Sequence, residues 1–260
     1  MSHNKLPGVK VLIFDTFGTT VNWRYTVLRE LKRKASEHAQ REVLMKVDWS
    51  GFLEDWRNKY KEGTKRHSEY VAESLETFVD VDRIHREALD NLTEKYAISG
   101  LYTSAELDEL NRVWHRLEAW PDSSHGLKQL RELGYKIGTL SGATTHALHS
   151  MSVYADLPWD FAYGSDIPLT YKPNPVAYRE CAKRIGVKPE ECAMVAAHTG
   201  DCQAAMRTGM RSVYVERLWE DEPVNSASFD IYVNGVTEID DIEPSSRQIG
   251  FVELANVLSN

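Results

Sequence analysis

Asp15 closes the apolar run Val11-Leu12-Ile13-Phe14, and Gly18 follows three residues later. A carboxylate held at the end of a strand is a candidate nucleophile. It is equally a solvated acid before an ordinary turn, and this run alone leaves both readings open. Ser141 ends Ile137-Gly138-Thr139-Leu140 and precedes Gly142. A hydroxyl and backbone N–H groups at a helix start can bind an anion, or the serine can simply cap the helix. Lys172 stands in Tyr171-Lys172-Pro173-Asn174-Pro175, where the prolines stiffen the loop and preset the next helix. Asp201 and His198 share the stretch Ala196-Ala197-His198-Thr199-Gly200-Asp201. An acid at a helix start also suits the macrodipole, and a loop histidine needs no function. The set is more telling than any member. Acid, hydroxyl, cation and second acid recur in order at successive strand ends, and every ordinary reading would have to hold at once for the set to carry no chemistry.

Two absences narrow that chemistry. A metal-dependent phosphoryl-transfer site of this layout needs a second carboxylate two residues after the nucleophile, as general acid. That position is Phe17. It also needs a carboxylate at the last strand's end to hold magnesium through oxygen, and Val195-Ala196-Ala197 offers none. A phosphate monoester brings two negative charges toward Asp15 and is repelled without a metal. The residues therefore read as a metal-free, cofactor-free site for a less charged substrate. A phosphatase that holds magnesium by other residues, and a binding protein that keeps the fold, are the competing classes.

The elements that must position these residues follow from periodicity. After Arg24 the segments 25–40, 49–66, 68–78, 81–96 and 104–117 carry apolar residues at three- and four-residue spacing and read as helices. From Trp120 onward helices and strands alternate. Helices are expected over 124–133, 145–154, 175–185, 202–208 and 251–258, and strands over 135–140, 161–163, 192–197, 212–215 and 231–233. Such alternation means a parallel sheet with helices on both faces. The expected fold class is α/β, a doubly wound parallel-sheet (Rossmann-like) core with an inserted helical cap domain. Residues 1–20 and 120–260 form the core, and 21–119 the cap above the Asp15 edge.

Composition sets outer limits. The chain has 260 residues, 42% hydrophobic and 27% charged, with a net charge of -8. That is ordinary for a soluble globular protein and disfavours nonspecific nucleic-acid binding, which needs a basic surface. A few cations in one cleft can still draw a small anion. No run approaches the ~20 apolar residues of a membrane span, and Met1-Ser2-His3-Asn4-Lys5-Leu6-Pro7 lacks the pattern of a secretory signal. Cys181, Cys192 and Cys202 are few and scattered, which fits a reducing cytoplasm and argues against zinc.

The chain resembles the haloacid dehalogenase superfamily over nearly its whole length. The motifs are Asp15-Thr16-Phe17-Gly18-Thr19, Leu140-Ser141, Lys172-Pro173-Asn174-Pro175 and the Asp201 loop. It looks most like the L-2-haloacid dehalogenase (type II) branch, marked by Phe17 in place of the general acid and by Tyr178 six residues after the lysine. Asp55-Trp56-Arg57-Asn58-Lys59 resembles the helix carrying the leaving-group arginine. The resemblance implies that Asp15 attacks C2 of a short 2-haloalkanoate and that water then cleaves the Asp15 ester. It implies that Lys172 keeps Asp15 ionised, that Thr19 orients it, and that Asp201 with His198 and Lys172 places the water. The substrate carboxylate would meet Ser141 and the backbone N–H groups of Thr16, Phe17 and Gly142. Arg57, with Arg24, would receive the halide, and Trp56, Tyr60 and Tyr178 would form dry walls. The sequence departs from the branch at Gly142, where asparagine is usual, and at Ala196. The same displacement on another small 2-substituted or cyclic carboxylic acid therefore stays open. A homodimer through the cap helices is one assembly this layout allows.

Overall fold

The computed structural model describes residues 5–221, 225–236 and 249–259; the first four residues of the opening segment lie outside the described residues. Six parallel strands form one sheet in the order β3-β2-β1-β4-β5-β6. They are β1 (Val11–Phe14), β2 (Lys136–Leu140), β3 (Phe161–Tyr163), β4 (Cys192–Ala196), β5 (Arg211–Arg217) and β6 (Ile231–Val236). β1 lies centrally, with Phe14 in register with Thr139 of β2 and Val195 of β4. Its four residues are all buried because both faces are covered. Leu12 and Phe14 join the apolar cluster containing Leu127, Leu130, Phe251 and Leu254. Those residues come from α6 (Ser123–Glu132) and α10 (Gly250–Ser259). Val11 and Ile13 point the other way, into a cluster with Ala177, Cys181, Ala204 and Ala205 of α8 (Pro175–Ile185) and α9 (Thr199–Arg207). This two-residue alternation makes the sheet doubly wound. α7 (Thr145–Tyr154) links β2 to β3.

The chain reverses its direction of growth beside β1, since β2 and β3 lie on one side and β4 to β6 on the other. Such a switch point opens a crevice at the carboxyl ends of the strands. Between β1 and α6 run α1 (Trp23–Glu37), α2 (Arg41–Leu44), α3 (Trp49–His67), α4 (Val81–Lys95) and α5 (Ser104–Asn111). This is the inserted helical run expected from periodicity, with three differences. Residues 68–78 are turns rather than helix, because their backbone groups bond elsewhere. The Ala72 N–H donates to the Leu169 carbonyl at 2.9 Å, and the Ser68 and Tyr70 carbonyls accept from Asn174 and Thr170 at 2.9 and 2.6 Å. The stretch 104–117 is α5 followed by a 3₁₀ turn, Arg112–His115. α2 is a single short turn with no periodic signal of its own.

A buried ion pair ties the return point to the site. Arg217, at the end of β5, donates two bonds to Asp122, at 2.6 and 2.8 Å, and a third to the Thr19 carbonyl at 2.9 Å. Both charged side chains are almost wholly buried. Arg217→Met leaves Asp122 charged, buried and unpaired, which costs about 3–5 kcal/mol. Urea unfolding of the variant is expected to show that loss as a lower midpoint with an unchanged slope.

Candidate active site

Asp15 stands one residue past β1, with its N–H still paired to the Val195 carbonyl at 3.0 Å. The turn after it is pinned by the Thr20 hydroxyl, which donates to the Asp15 carbonyl at 2.7 Å, and by Gly18 at φ 82°. That left-handed backbone is strained for any residue with a side chain. The Thr19 hydroxyl accepts from the Ala197 N–H at 2.9 Å and donates to Asp15 Oδ2 at 2.8 Å. An ionised carboxylate can only accept, so the hydroxyl is the donor of the second bond.

Three loops complete the centre. Lys172 Nζ donates to Asp15 Oδ1 at 2.7 Å and to Asp201 Oδ2 at 2.5 Å. The Tyr178 hydroxyl donates to Asp201 Oδ1 at 2.6 Å. His198 lies between two acids, with Nδ1 at 3.0 Å from Asp15 Oδ2 and Nε2 at 2.8 Å from Glu220 Oε2. Glu220 also accepts from Trp23 Nε1 at 2.6 Å. α9 is capped from below by Asp221, which accepts from the Thr199 N–H and hydroxyl at 2.6 and 2.7 Å.

The electrostatics follow from these contacts. Burial opposes ionisation of Asp15, but the Lys172 and His198 cations outweigh it and hold the carboxyl well below its usual range. Burial likewise opposes the charge on Lys172, and Asp15 and Asp201 outweigh that too, so the ammonium is held more firmly than usual. Burial would lower His198, yet its bonds to Asp15 and Glu220 raise it to about 10. Asp201 moves the other way: burial raises it, and repulsion from Asp15 adds to that, against the pull of Lys172. Two neighbouring acids are thus pushed apart, one kept ionised and one made more basic, the pattern of divided catalytic roles.

A cavity of about 370 Å³ opens on this centre, lined by Asp15, Phe17, Arg57, Tyr60, Lys172, Tyr178, His198 and Asp201. Lys61, Gln203 and Arg207 line it as well, and none of the three carries a motif. Arg57 is 5% exposed. Its guanidinium lies over the rings of Tyr60, Trp23 and Phe17 at 4.5, 4.9 and 5.8 Å. Among the described residues neither its Nε nor its Nη1 finds an acceptor.

Several expected residues do not reach the cavity. Trp56 is fully buried and donates through Nε1 to the His85 carbonyl at 3.0 Å. It packs against Phe52, His85 and Trp114, because the face of α3 turned to the cavity carries Arg57, Tyr60 and Lys61. Arg24 pairs with Glu54 and lies over the Trp219 ring. The Thr16 hydroxyl bonds that of Thr139 at 2.7 Å, which does not bear on the N–H expected to meet the substrate. Ser141 Oγ accepts from the Ala143 N–H at 3.2 Å in a local turn, and it is Thr144, accepting from the Ala147 N–H at 3.1 Å, that caps α7. Gly142 lies beneath Tyr60, whose hydroxyl would stand 2.7 Å from a Cβ at that position. The phenol takes space that a side chain at 142 would need. Glu220 went unnoticed in the sequence because it belongs to no motif. Its signal is positional, an acid just beyond the carboxyl end of β5.

The sequence model of haloacid dehalogenase-like hydrolases matches residues 9–207, a stretch that includes Asp15, Lys172 and Asp201. The chain belongs to the haloacid dehalogenase-like hydrolase family. Its structure superposes on that of a defluorinating L-2-haloacid dehalogenase with a TM-score of 0.81, at 33% identity and covering 98% of both chains. It is similar to (S)-2-haloacid dehalogenase 4A of Burkholderia cepacia, 23% identical over 89% of this chain and 94% of that one. A shorter match, 30% identical, covers 39% of this chain and 45% of a glyceraldehyde 3-phosphate phosphatase of Methanopyrus kandleri. The six-stranded parallel sheet flanked by helices is the fold of this family, and the chain is accordingly a hydrolase.

Proposed function

We propose that the protein hydrolyses short 2-haloalkanoic acids to 2-hydroxy acids through a covalent Asp15 ester, without a metal ion. The observation that carries this reading is a carboxylate paired with the Lys172 ammonium and a buried, partly unbonded guanidinium on one cavity. The first is a nucleophile; the second fits an anion that appears during the reaction. Asp15 Oδ2 already accepts two bonds, from Thr19 and His198, whereas Oδ1 accepts one, from Lys172. A carboxylate oxygen offers two lone pairs, so Oδ1 retains one for attack. Oδ1 bonds to C2, the carbon–halogen bond breaks, and the halide leaves toward Arg57. Asp201, raised by its burial, then takes a proton from the water that attacks the ester. The cavity's arginines and lysines (57, 61, 172 and 207) outnumber its carboxylates, Asp15 and Asp201, which suits a small anionic substrate.

The residues do not fit a divalent cation. The position two after Asp15 is a buried phenyl ring, Phe17. Among the described residues no group of three or more His, Cys, Asp or Glu side chains is disposed to hold a metal. The charge between Asp15 and Asp201 is the ammonium of Lys172. This favours a carbon electrophile over a phosphate dianion, despite the shorter phosphatase match.

Chloride release from 2-chloropropanoate in the presence of a chelator tests the reading. Release unaffected by chelation supports it; magnesium-stimulated hydrolysis of p-nitrophenyl phosphate with no chloride release contradicts it. Arg57→Met sharpens the test. Removing one preorganised stabiliser of developing charge lowers turnover by about 10²–10³. The same change removes a buried charge with unsatisfied N–H groups, so the unfolding temperature is expected to hold or rise. Lower activity with unchanged or higher stability separates an anion site from a packing residue.

A further inference from the structure

The two oxygens of Asp15 face different partners, and that asymmetry outlasts the first chemical step. Under the displacement reading above, on which this inference rests, Oδ1 becomes the ester oxygen and Oδ2 the ester carbonyl. When water adds to Cγ, the negative charge develops on Oδ2. Two donors already stand there. The Thr19 hydroxyl lies at 2.8 Å and is the donor there, since neither a carboxylate nor an ester carbonyl oxygen carries a hydrogen, and His198 Nδ1 lies at 3.0 Å. Donors placed before charge develops are the arrangement that stabilises a tetrahedral intermediate.

His198 can serve there as a cation only if something besides Asp15 holds its charge, because esterification removes the Asp15 charge. Glu220 is that group. It accepts from His198 Nε2 at 2.8 Å and from Trp23 Nε1 at 2.6 Å, and its side chain is 7% exposed. The turn after β1 is shaped to admit it: a Cβ on Gly18 would stand 2.2 Å from Glu220 Oε1. Gly18 thus supplies both the left-handed turn and the slot for this carboxylate. Glu220 also lies beyond residues 9–207, the stretch the family model matches.

We infer that His198 and Thr19 form the oxyanion hole of the ester-hydrolysis half-reaction, and that Glu220 is the positioning residue acting through His198. The atoms balance as follows. Water gives a proton to Asp201 and its hydroxyl to Cγ, while the carbonyl electron pair moves onto Oδ2. The carbonyl re-forms, and the Cγ–Oδ1 bond breaks. Oδ1 takes a proton from the Lys172 ammonium at 2.7 Å, and Lys172 recovers one from Asp201 at 2.5 Å. The new Asp15 carboxyl, with one oxygen from water, releases its remaining proton to solvent.

The test is rapid-quench mass spectrometry of the full chain with excess 2-chloropropanoate, run alongside chloride release, for the wild type, Glu220→Gln and His198→Ala. Removal of one such donor lowers the step it serves by about 10²–10³; His198→Ala is expected to lose that much, and Glu220→Gln about tenfold or more. Ester formation in Glu220→Gln is expected to stay within about threefold of wild type, so chloride appears as a burst of one per site while the Asp15 adduct accumulates. A structural role for Glu220 predicts otherwise: both half-reactions slow together and no adduct builds up. An adduct in the wild type without accumulation in either variant overturns this inference alone. No adduct and no chloride in the wild type overturn the displacement reading, and this inference with it.

Discussion

Asp15→Asn is expected to lower turnover of a 2-haloalkanoate at least about 10⁴-fold, the scale on which removal of a covalent nucleophile acts. The substitution keeps the shape of the side chain and removes its charge. An amide nitrogen at Oδ1 would face the Lys172 ammonium, and at Oδ2 the Thr19 and His198 donors. Either orientation sets donor against donor, so the variant cannot mimic the native contacts. Steady-state halide release measures the loss, and circular dichroism checks that the fold persists. Residual activity within about tenfold of wild type would show that another group attacks carbon.

Lys172→Met is expected to cost about 10³-fold or more and to change the pH profile. The ammonium is the shared counter-ion of Asp15 and Asp201. Without it the two buried acids repel each other and their ionised forms are disfavoured. In the wild type Asp15 lies below its ordinary range. Its contribution to stability is therefore present above about pH 4 and is lost as pH falls toward the folded value. In the variant the sign reverses. A carboxyl raised above its unfolded value binds more protons in the native state, so stability falls as pH rises from about 5 to 8. Activity rises over the same interval as the nucleophile ionises. Chemical unfolding at several pH values, paired with halide release, reads both slopes. His198 adds a term at the alkaline end. Its folded value of about 10 lies above its ordinary 6.5, so its stabilisation is complete below about pH 6.5 and is lost as pH rises through about 10.

The central site was legible because its residues sit where topology forces them together. Asp15, His198 and Asp201 follow buried strands that neighbour each other in the sheet, and the prolines around Lys172 mark a shaped loop. The helical insertion was legible from its spacing. What could not be read is what depends on side-chain direction. Trp56, Arg57 and Tyr60 share one helix, yet Trp56 turns to Trp114 and His85 while its neighbours line the cavity. Trp56 and Tyr60 stand four residues apart on one side of the helix and both pack on His85, and of the two only Tyr60 extends to the cavity. Ser141 carried two readings, and the cap of the next helix fell instead to Thr144 while Ser141 closes a local turn. The turns of 68–78 escaped periodicity because their partners lie a hundred residues away, at Leu169 and Thr170. Lys61 and Arg207 are ordinary charges in sequence and acquire meaning only from the cavity they line, and Glu220 only from its bond to His198.

A single-turnover reaction in ¹⁸O-labelled water, with enzyme in excess over 2-chloropropanoate, tests the covalent ester most directly. The expected result is label in the Asp15 carboxylate after one turnover and unlabelled oxygen in the first 2-hydroxy acid released. Label appearing at once in the product, with Asp15 unlabelled, would mean that water attacks C2 directly and that no bond forms between Asp15 and substrate.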